Sequence, residues 1–180
     1  GDDFIHRDEL SWAACEMYLA TGDTQFQQKL FEWFPDPTDS GTFKWGQVRL
    51  FACYGNAVRD YAFATSNGRL NAAQVDQNYL AKCITVITNC GDDNLEWSRQ
   101  NAYGTSFPDF TKSYRGGGWY FSSVQAFDIV VAYQFNPKPE YLDAILRNLN
   151  YEGGCNPVNM PYVTGMGWKR STRCGGRVGC

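Results

Sequence analysis

Histidine is almost missing from this chain: His6 is the only one among 180 residues. The seven cysteines (15, 53, 83, 90, 155, 174 and 180) include no CxxC pair. Zinc sites need His and Cys at such spacings, so a structural metal site is not expected. Neither is any cofactor. Lys and Arg are not in excess. The formal net charge is −3 and the pI is near 5.1, which argues against a nucleic-acid partner, since binding to phosphates needs clustered basic residues. Long apolar runs are also absent. The strongest, around Ile129–Ala132, is far shorter than the roughly 18 residues of a membrane span, so no membrane partner is expected. No charged-then-apolar leader follows Gly1, which a mature or truncated start explains as well as a cytosolic one.

Apolar and aromatic residues are plentiful, at 43% and 16%, enough for a globular domain with a real core. Their spacing is helical almost throughout, and no alternating strand pattern stands out. A first run, Asp8 through Leu10, Trp12, Ala13, Met17 and Leu19, stops at Thr21-Gly22-Asp23, with Gly22 as C-cap. Thr24 can cap a second, through Phe26, Leu30, Phe31 and Phe34, which Pro35 and Pro37 end. Phe43–Thr65 is a third. Asn71 can cap a fourth, with Val75, Tyr79, Cys83, Val86 and Ile87 on one face and Gly91 closing it. A long irregular stretch over Asp92–Gly118 follows, of a length that usually serves function. Trp119–Gln134, the most apolar helix, and Pro139–Leu149 complete the pattern. No strict repeat and no dividing linker are visible, and the helices read as stacked hairpins.

Most single residues have ordinary structural explanations. Asp8 and Glu9 favour a helix start through the dipole and free N–H groups. Trp12 reads as core, Asp92 and Asp93 as turn residues after a glycine stop, and His6 as surface. Cys83 and Cys90 share a helix face and read as small buried apolar groups rather than a disulfide framework. Asp109, in the long loop, is the best local acid but has no identifiable partner carboxylate.

Two stretches carry a family resemblance. Asp8-Glu9-Leu10-Ser11-Trp12-Ala13-Ala14-Cys15-Glu16-Met17-Tyr18-Leu19-Ala20-Thr21-Gly22-Asp23 is similar to the "DE, two residues, WAA, then E, Y, A, TGD" helix of glycoside hydrolase family 9. Tyr151-Glu152-Gly153-Gly154-Cys155-Asn156-Pro157, followed by Tyr162-Val163-Thr164-Gly165-Met166-Gly167, resembles that family's "Y-x-L-G-x-N-P … S-Y-V-V-G-x-G" signature. Gly153, Pro161 and Thr164 stand where Leu, Ser and Val are usual. The resemblance implies an all-α fold, a partial (α/α)6 barrel or six-hairpin toroid, with about half of the ring present. Residues 1–170 would be part of the catalytic domain, and 171–180, rich in Ser, Gly, Arg and Cys, an atypical and possibly non-native tail.

The resemblance also implies the chemistry: hydrolysis of β-1,4-glucan, chiefly cellulose, with inversion, in a secreted parent, extracellular or periplasmic. Inversion needs a general acid and a general base about 6.5–9.5 Å apart. The family's base lies in a "DAGD" motif and its acid is a Glu beyond the glycine signature. Neither is found here, nor is its Pro-His-His-Arg, replaced by Trp168-Lys169-Arg170, so no catalytic residue is assigned and this chain alone is expected to be inactive. Sugar contact remains. Trp119, after three glycines, resembles a family Trp that stacks on glucose, although Ser123 stands where Arg is frequent. Tyr103, Tyr120 and Tyr162 are further candidates. The expected partner is a β-glucan. The alternatives are a non-catalytic carbohydrate-binding domain and a helical scaffold. Half a toroid would also expose an apolar edge, so self-association is expected.

Overall fold

The computed structural model describes residues 6–39, 53–106, 122–163 and 165–167. Among them lie six α-helices and no strand: α1 Arg7–Thr21, α2 Thr24–Trp33, α3 Cys53–Ala62, α4 Gln77–Ser98, α5 Ser122–Phe135 and α6 Pro139–Glu152. The chain forms two compact units, Gly1–Cys90 and Gly91–Cys180, with the boundary inside α4 rather than at a linker.

In the first unit, α1 ends as its sequence predicts. Gly22 takes φ 69°, and its N–H donates to Tyr18 O at 2.8 Å, a left-handed cap that glycine adopts without strain. The buried face differs from the expected one. Ser11, Ala14, Cys15, Tyr18 and Leu19 are buried, whereas Leu10 and Met17 are exposed. The 11, 14/15, 18/19 spacing is the true 3.6-residue stripe, filled partly by small residues that a count of large apolar side chains misses. The α2 cap is Asp23, not Thr24: its carboxylate accepts from Gln25 N at 3.0 Å and leaves Thr24 as the first helical residue.

Aromatic rings fill the space between α2, α3 and the start of α4. Phe31 and Tyr79 lie 4.6 Å apart, Phe34 and Tyr54 also 4.6 Å, and Tyr61 and Tyr79 5.0 Å. Their hydroxyls find backbone partners, as buried polar groups must: Tyr79 donates to Phe34 O at 3.0 Å, and Tyr61 accepts from Asp76 N at 2.9 Å. Of the expected third helix, the described part is α3; after Ala62 the chain turns, short of Thr65. Cys83 and Cys90 are buried, as expected, and so is Cys15, while Cys155 is exposed. Burial pushes the Cys15 and Cys83 thiols well up, which makes them inert packing groups.

Helix α4 departs most from its expected bounds. Asp76 caps it, accepting from Tyr79 N at 2.8 Å, while Asn71 instead holds the preceding turn through Ala73 N and Gln74 N. Gly91 does not close the helix, which runs on to Ser98. In the second unit Gly91 is buried, and a Cβ there would lie 2.3 Å from Ala132 Cβ and 3.0 Å from the Tyr141 hydroxyl. This glycine is therefore a point of close approach to α5 and α6, not a stop signal. Asp92 and Asp93 are consequently helical rather than turn residues. Asp92 accepts from Lys138 Nζ at 2.6 Å and from the Tyr141 hydroxyl at 2.5 Å. Leu95, Ala126, Ile129, Ala132, Tyr141 and Ala144 are buried in this unit. Helix α5 is apolar but not wholly enclosed, since Val130 is exposed.

Candidate functional site

The second unit brings together two of the expected contact residues, Tyr103 and Tyr162, and adds a third, Tyr151. The ring centroids of Tyr103 and Tyr151 lie 5.5 Å apart at 72°, and those of Tyr151 and Tyr162 lie 6.0 Å apart at 72°. Tyr151 is the middle member, half-buried, with an exposed tyrosine on each side: Tyr103 is 44% and Tyr162 39% exposed. Edge-to-face pairs at these distances are favourable ring geometry. The row thus leaves part of its aromatic surface exposed, at Tyr103 and Tyr162.

Each ring is held by its own local structure. Tyr103 stands in a turn after α4, where Gly104 N donates to Asn101 O at 3.1 Å. Gly104 takes φ 65°, and a Cβ there would meet Arg147 Cδ at 2.6 Å, so only glycine lets the turn lie against the Arg147 stem on α6. The Asn101 side chain clasps the turn, donating to Thr105 O at 2.7 Å and accepting from Thr105 N at 3.1 Å. Buried Asn148 then ties it to α6. It accepts from Ser106 N and donates to Ser106 Oγ, both at 2.9 Å, and donates to Ala144 O at 2.7 Å. Tyr151 sits in the last turn of α6, one turn beyond Arg147. Tyr162 belongs to the segment that returns past the helix end, its N–H donating to Glu152 O at 2.8 Å.

At the other end of α6, about 15 Å along the helix from Tyr151, a separate charged group ties the start of α6 to α4. Burial pushes Asp92 upward, but its hydrogen bonds to the Lys138 ammonium and the Tyr141 hydroxyl outweigh that and hold its carboxyl below the usual value. Burial, with the bond to Asp92, pushes the Tyr141 hydroxyl well up, so it stays a donor. Lys138 Nζ also lies 5.0 Å from the Tyr141 ring centroid, within cation–π reach.

Chemically, the three rings can bind but not hydrolyse: they offer apolar faces and hydroxyls, and no carboxylate. No group of three or more His, Cys, Asp or Glu among the described residues could hold a metal. Trp119, Tyr120 and Asp109 lie outside the described residues. In the first unit, His6 and Glu9 form an exposed pair 3.7 Å apart, and Asp8 and Glu9 lie in the first turn of α1. The side chain of His6, the N-cap, makes no capping hydrogen bond. Trp12, expected in the core, is only half-buried and donates to Asp60 Oδ2 at 3.0 Å, at the edge of the packed interior.

Sequence reasoning names Tyr151 only as the first letter of a motif, and does not single out Asn101, Asn148 or Asn156. Tyr151 had a usable signal, a tyrosine ending a helix that leads into a glycine turn. Asn156 had a signal of the same kind, as the Asn of the Asn-Pro pair in the quoted signature, whereas Asn101 and Asn148 had none.

Comparison with known proteins gives the family. The glycosyl hydrolase family 9 model matches residues 2–177. A xyloglucan-specific endo-beta-1,4-glucanase, BoGH9A of Bacteroides ovatus, is 26% identical over 165 residues, covering 90% of this chain and 26% of its own length. A cellulose 1,4-beta-cellobiosidase of Acetivibrio thermocellus is 25% identical over 179 residues, covering 92% of this chain and 19% of that protein. The chain thus spans about a quarter of such relatives or less. Among solved structures, a metagenome-derived glycoside hydrolase family 9 endoglucanase superposes with a TM-score of 0.70 at 22% identity, over 92% of this chain and 28% of that one. AaCel9A, solved with cellobiose-like isofagomine, gives 0.66 at 21%, over 91% and 28%. These likenesses are of fold, an all-α partial (α/α)6 barrel as expected. With the family match running through nearly all of its length, the chain belongs to glycosyl hydrolase family 9.

Proposed function

We propose that this chain is part of the catalytic domain of a cellulase-type glycoside hydrolase that cleaves β-1,4-glucan with inversion, and that it contributes scaffold and sugar contact rather than the catalytic carboxylates. The Tyr103–Tyr151–Tyr162 row carries the reading. Two exposed tyrosines flanking a half-buried one, 5.5 and 6.0 Å from it, offer what a pyranose needs: an apolar ring face for its C–H bonds and hydroxyls at the margin. Support comes from the family, and from relatives named for β-1,4-glucan and cellulose. Inversion and the inactivity of this chain alone rest on the family resemblance and on the lack of its acid and base motifs in this sequence. Trp119 and Tyr120 belong to the same proposed contact surface. A polymeric substrate also favours an extracellular or periplasmic site of action for the parent.

Affinity electrophoresis through a gel containing soluble β-1,4-glucan tests the reading. The chain should be retarded, and Tyr103→Ala or Tyr162→Ala should weaken binding about two- to tenfold, the worth of one aromatic contact of roughly 0.5–1.5 kcal/mol. Reducing-sugar release from carboxymethylcellulose should stay at background. Retardation that neither substitution changes would remove the row from the proposal, and clear turnover would refute the assignment of the catalytic carboxylates elsewhere. The second reading, a binding domain without hydrolysis, is favoured by the same row. It prevails if a longer parent that binds the glucan still releases no sugar.

A further inference from the structure

We propose that Asn156 is the positioning residue that sets the place of Tyr151 and Tyr162, and through them the shape of the sugar-contact row; the part of this inference that concerns glucan rests on the function proposed above. Asn156 is the exception in its turn. It is 6% exposed, while its neighbours Cys155, Pro157, Val158 and Asn159 are all exposed. An asparagine side chain has two N–H donors and one carbonyl acceptor. Here both kinds are used, on backbone partners. Nδ2 donates to Tyr151 O and to Met160 O, each at 2.8 Å. Oδ1 accepts from Val158 N at 3.2 Å and from Met160 N at 3.3 Å.

Those partners lie on the two segments that carry the rings. One is the last turn of α6, at the residue bearing the middle ring; the other is the returning chain, two residues before Tyr162. The amide therefore bridges the segments where the chain reverses. Tyr162 N donates to Glu152 O at 2.8 Å as a second tie between them, and two ties fix a segment where one leaves a pivot. Pro161 adds a packing constraint, because a Cβ on Gly167 would lie 2.8 Å from Pro161 Cγ and one on Gly154 3.4 Å from Pro161 N.

The donor half of the amide is the part that cannot be replaced. Tyr151 O and Met160 O are carbonyl oxygens converging on one nitrogen, so the group between them must donate twice. Aspartate has nearly the same shape and could still accept from Val158 N and Met160 N, but its second oxygen would face two carbonyl oxygens and repel them. The turn that carries Tyr103 is held separately, by Asn101 and Asn148, and should keep its place.

The test uses the full chain with ring-labelled tyrosine, in Asn156→Asp and Asn156→Ala forms at a temperature well below unfolding. The Tyr151 and Tyr162 ring resonances should shift in both variants, and the Tyr103 resonance, which feels only the ring current of Tyr151 at 5.5 Å, should shift less. Binding to soluble β-1,4-glucan should fall about two- to tenfold in Asn156→Asp, as in Tyr162→Ala. Unmoved Tyr151 and Tyr162 rings overturn the inference, and so does unchanged binding by Asn156→Asp when Tyr162→Ala binds weakly. If neither tyrosine substitution alters binding, the glucan reading is what fails, and the ring shifts still decide the positioning role. Should both variants unfold, the wild-type chain decides: the Asn156 side-chain NH2 should exchange with solvent far more slowly than that of exposed Asn159, and equal rates overturn the inference.

Discussion

Replacing Gly91 by alanine tests whether that residue is a helix terminator or a packing point. Alanine in a helix interior is favoured over glycine by about 1 kcal/mol, so propensity alone predicts stabilisation. The structure predicts the reverse. The new methyl would sit 2.3 Å from Ala132 Cβ, far inside the roughly 3.5–4.0 Å optimum for two carbons, and 3.0 Å and 3.1 Å from Tyr141 OH and Cζ. A β-carbon fixed to a helix backbone cannot swing away, so relief requires α5 to move. Overpacking of this kind costs about 1–3 kcal/mol, with this contact at the upper end. Net of propensity, Gly91→Ala should destabilise the fold by about 1–2 kcal/mol. Ala132→Gly alone should cost about 1 kcal/mol, through loss of helix propensity. Combining them removes the clash and exchanges one glycine for another, so the double variant should return to within about 1 kcal/mol of wild type. Urea unfolding followed by circular dichroism, across all four proteins, gives the cycle. A Gly91→Ala protein as stable as wild type, or additive single effects, would refute the packing argument.

Asp60 gives a pH prediction with a definite sign. Burial first, then its hydrogen bond with Glu16, raises its pKa above 3.8 despite donors from Arg59 and Trp12. A raised carboxyl contributes stability below its unfolded pKa and loses it as pH rises through the folded one. Asp60→Asn carries no such loss, so its stability relative to wild type should climb between about pH 4 and pH 7; a flat difference contradicts this. Glu16 is shifted down, chiefly by its bond to Arg69, and works the other way, losing its contribution as pH falls. Glu16→Gln should therefore flatten the acid limb of the stability profile. Along α6, Leu142, Leu146 and Leu149 lie one turn apart on one exposed face. The chain should self-associate in sedimentation velocity and Leu146→Lys should reduce it; a wild-type monomer at every concentration would count against the exposed apolar edge.

The sequence alone determined the helical class, because 3.6-residue periodicity is a local property, and it located α1, α2, α5 and α6 within a few residues. It determined the Gly22 cap because a left-handed residue after a helix leaves glycine as the natural choice. It also supplied the family, since the stretches from Asp8 and from Tyr151 are ordered patterns along the chain. Tertiary structure decided what depends on distant partners. Gly91 reads as a stop until Ala132 and Tyr141 are brought against it. Asp92 reads as a turn residue until Lys138 and Tyr141 reach it. Tyr103, Tyr151 and Tyr162 form a row only once the turn after α4 and the segment after α6 come against the end of α6, where asparagine amides bind the backbone. Local propensity is written residue by residue, whereas a shared surface exists only once separate segments fold onto one another.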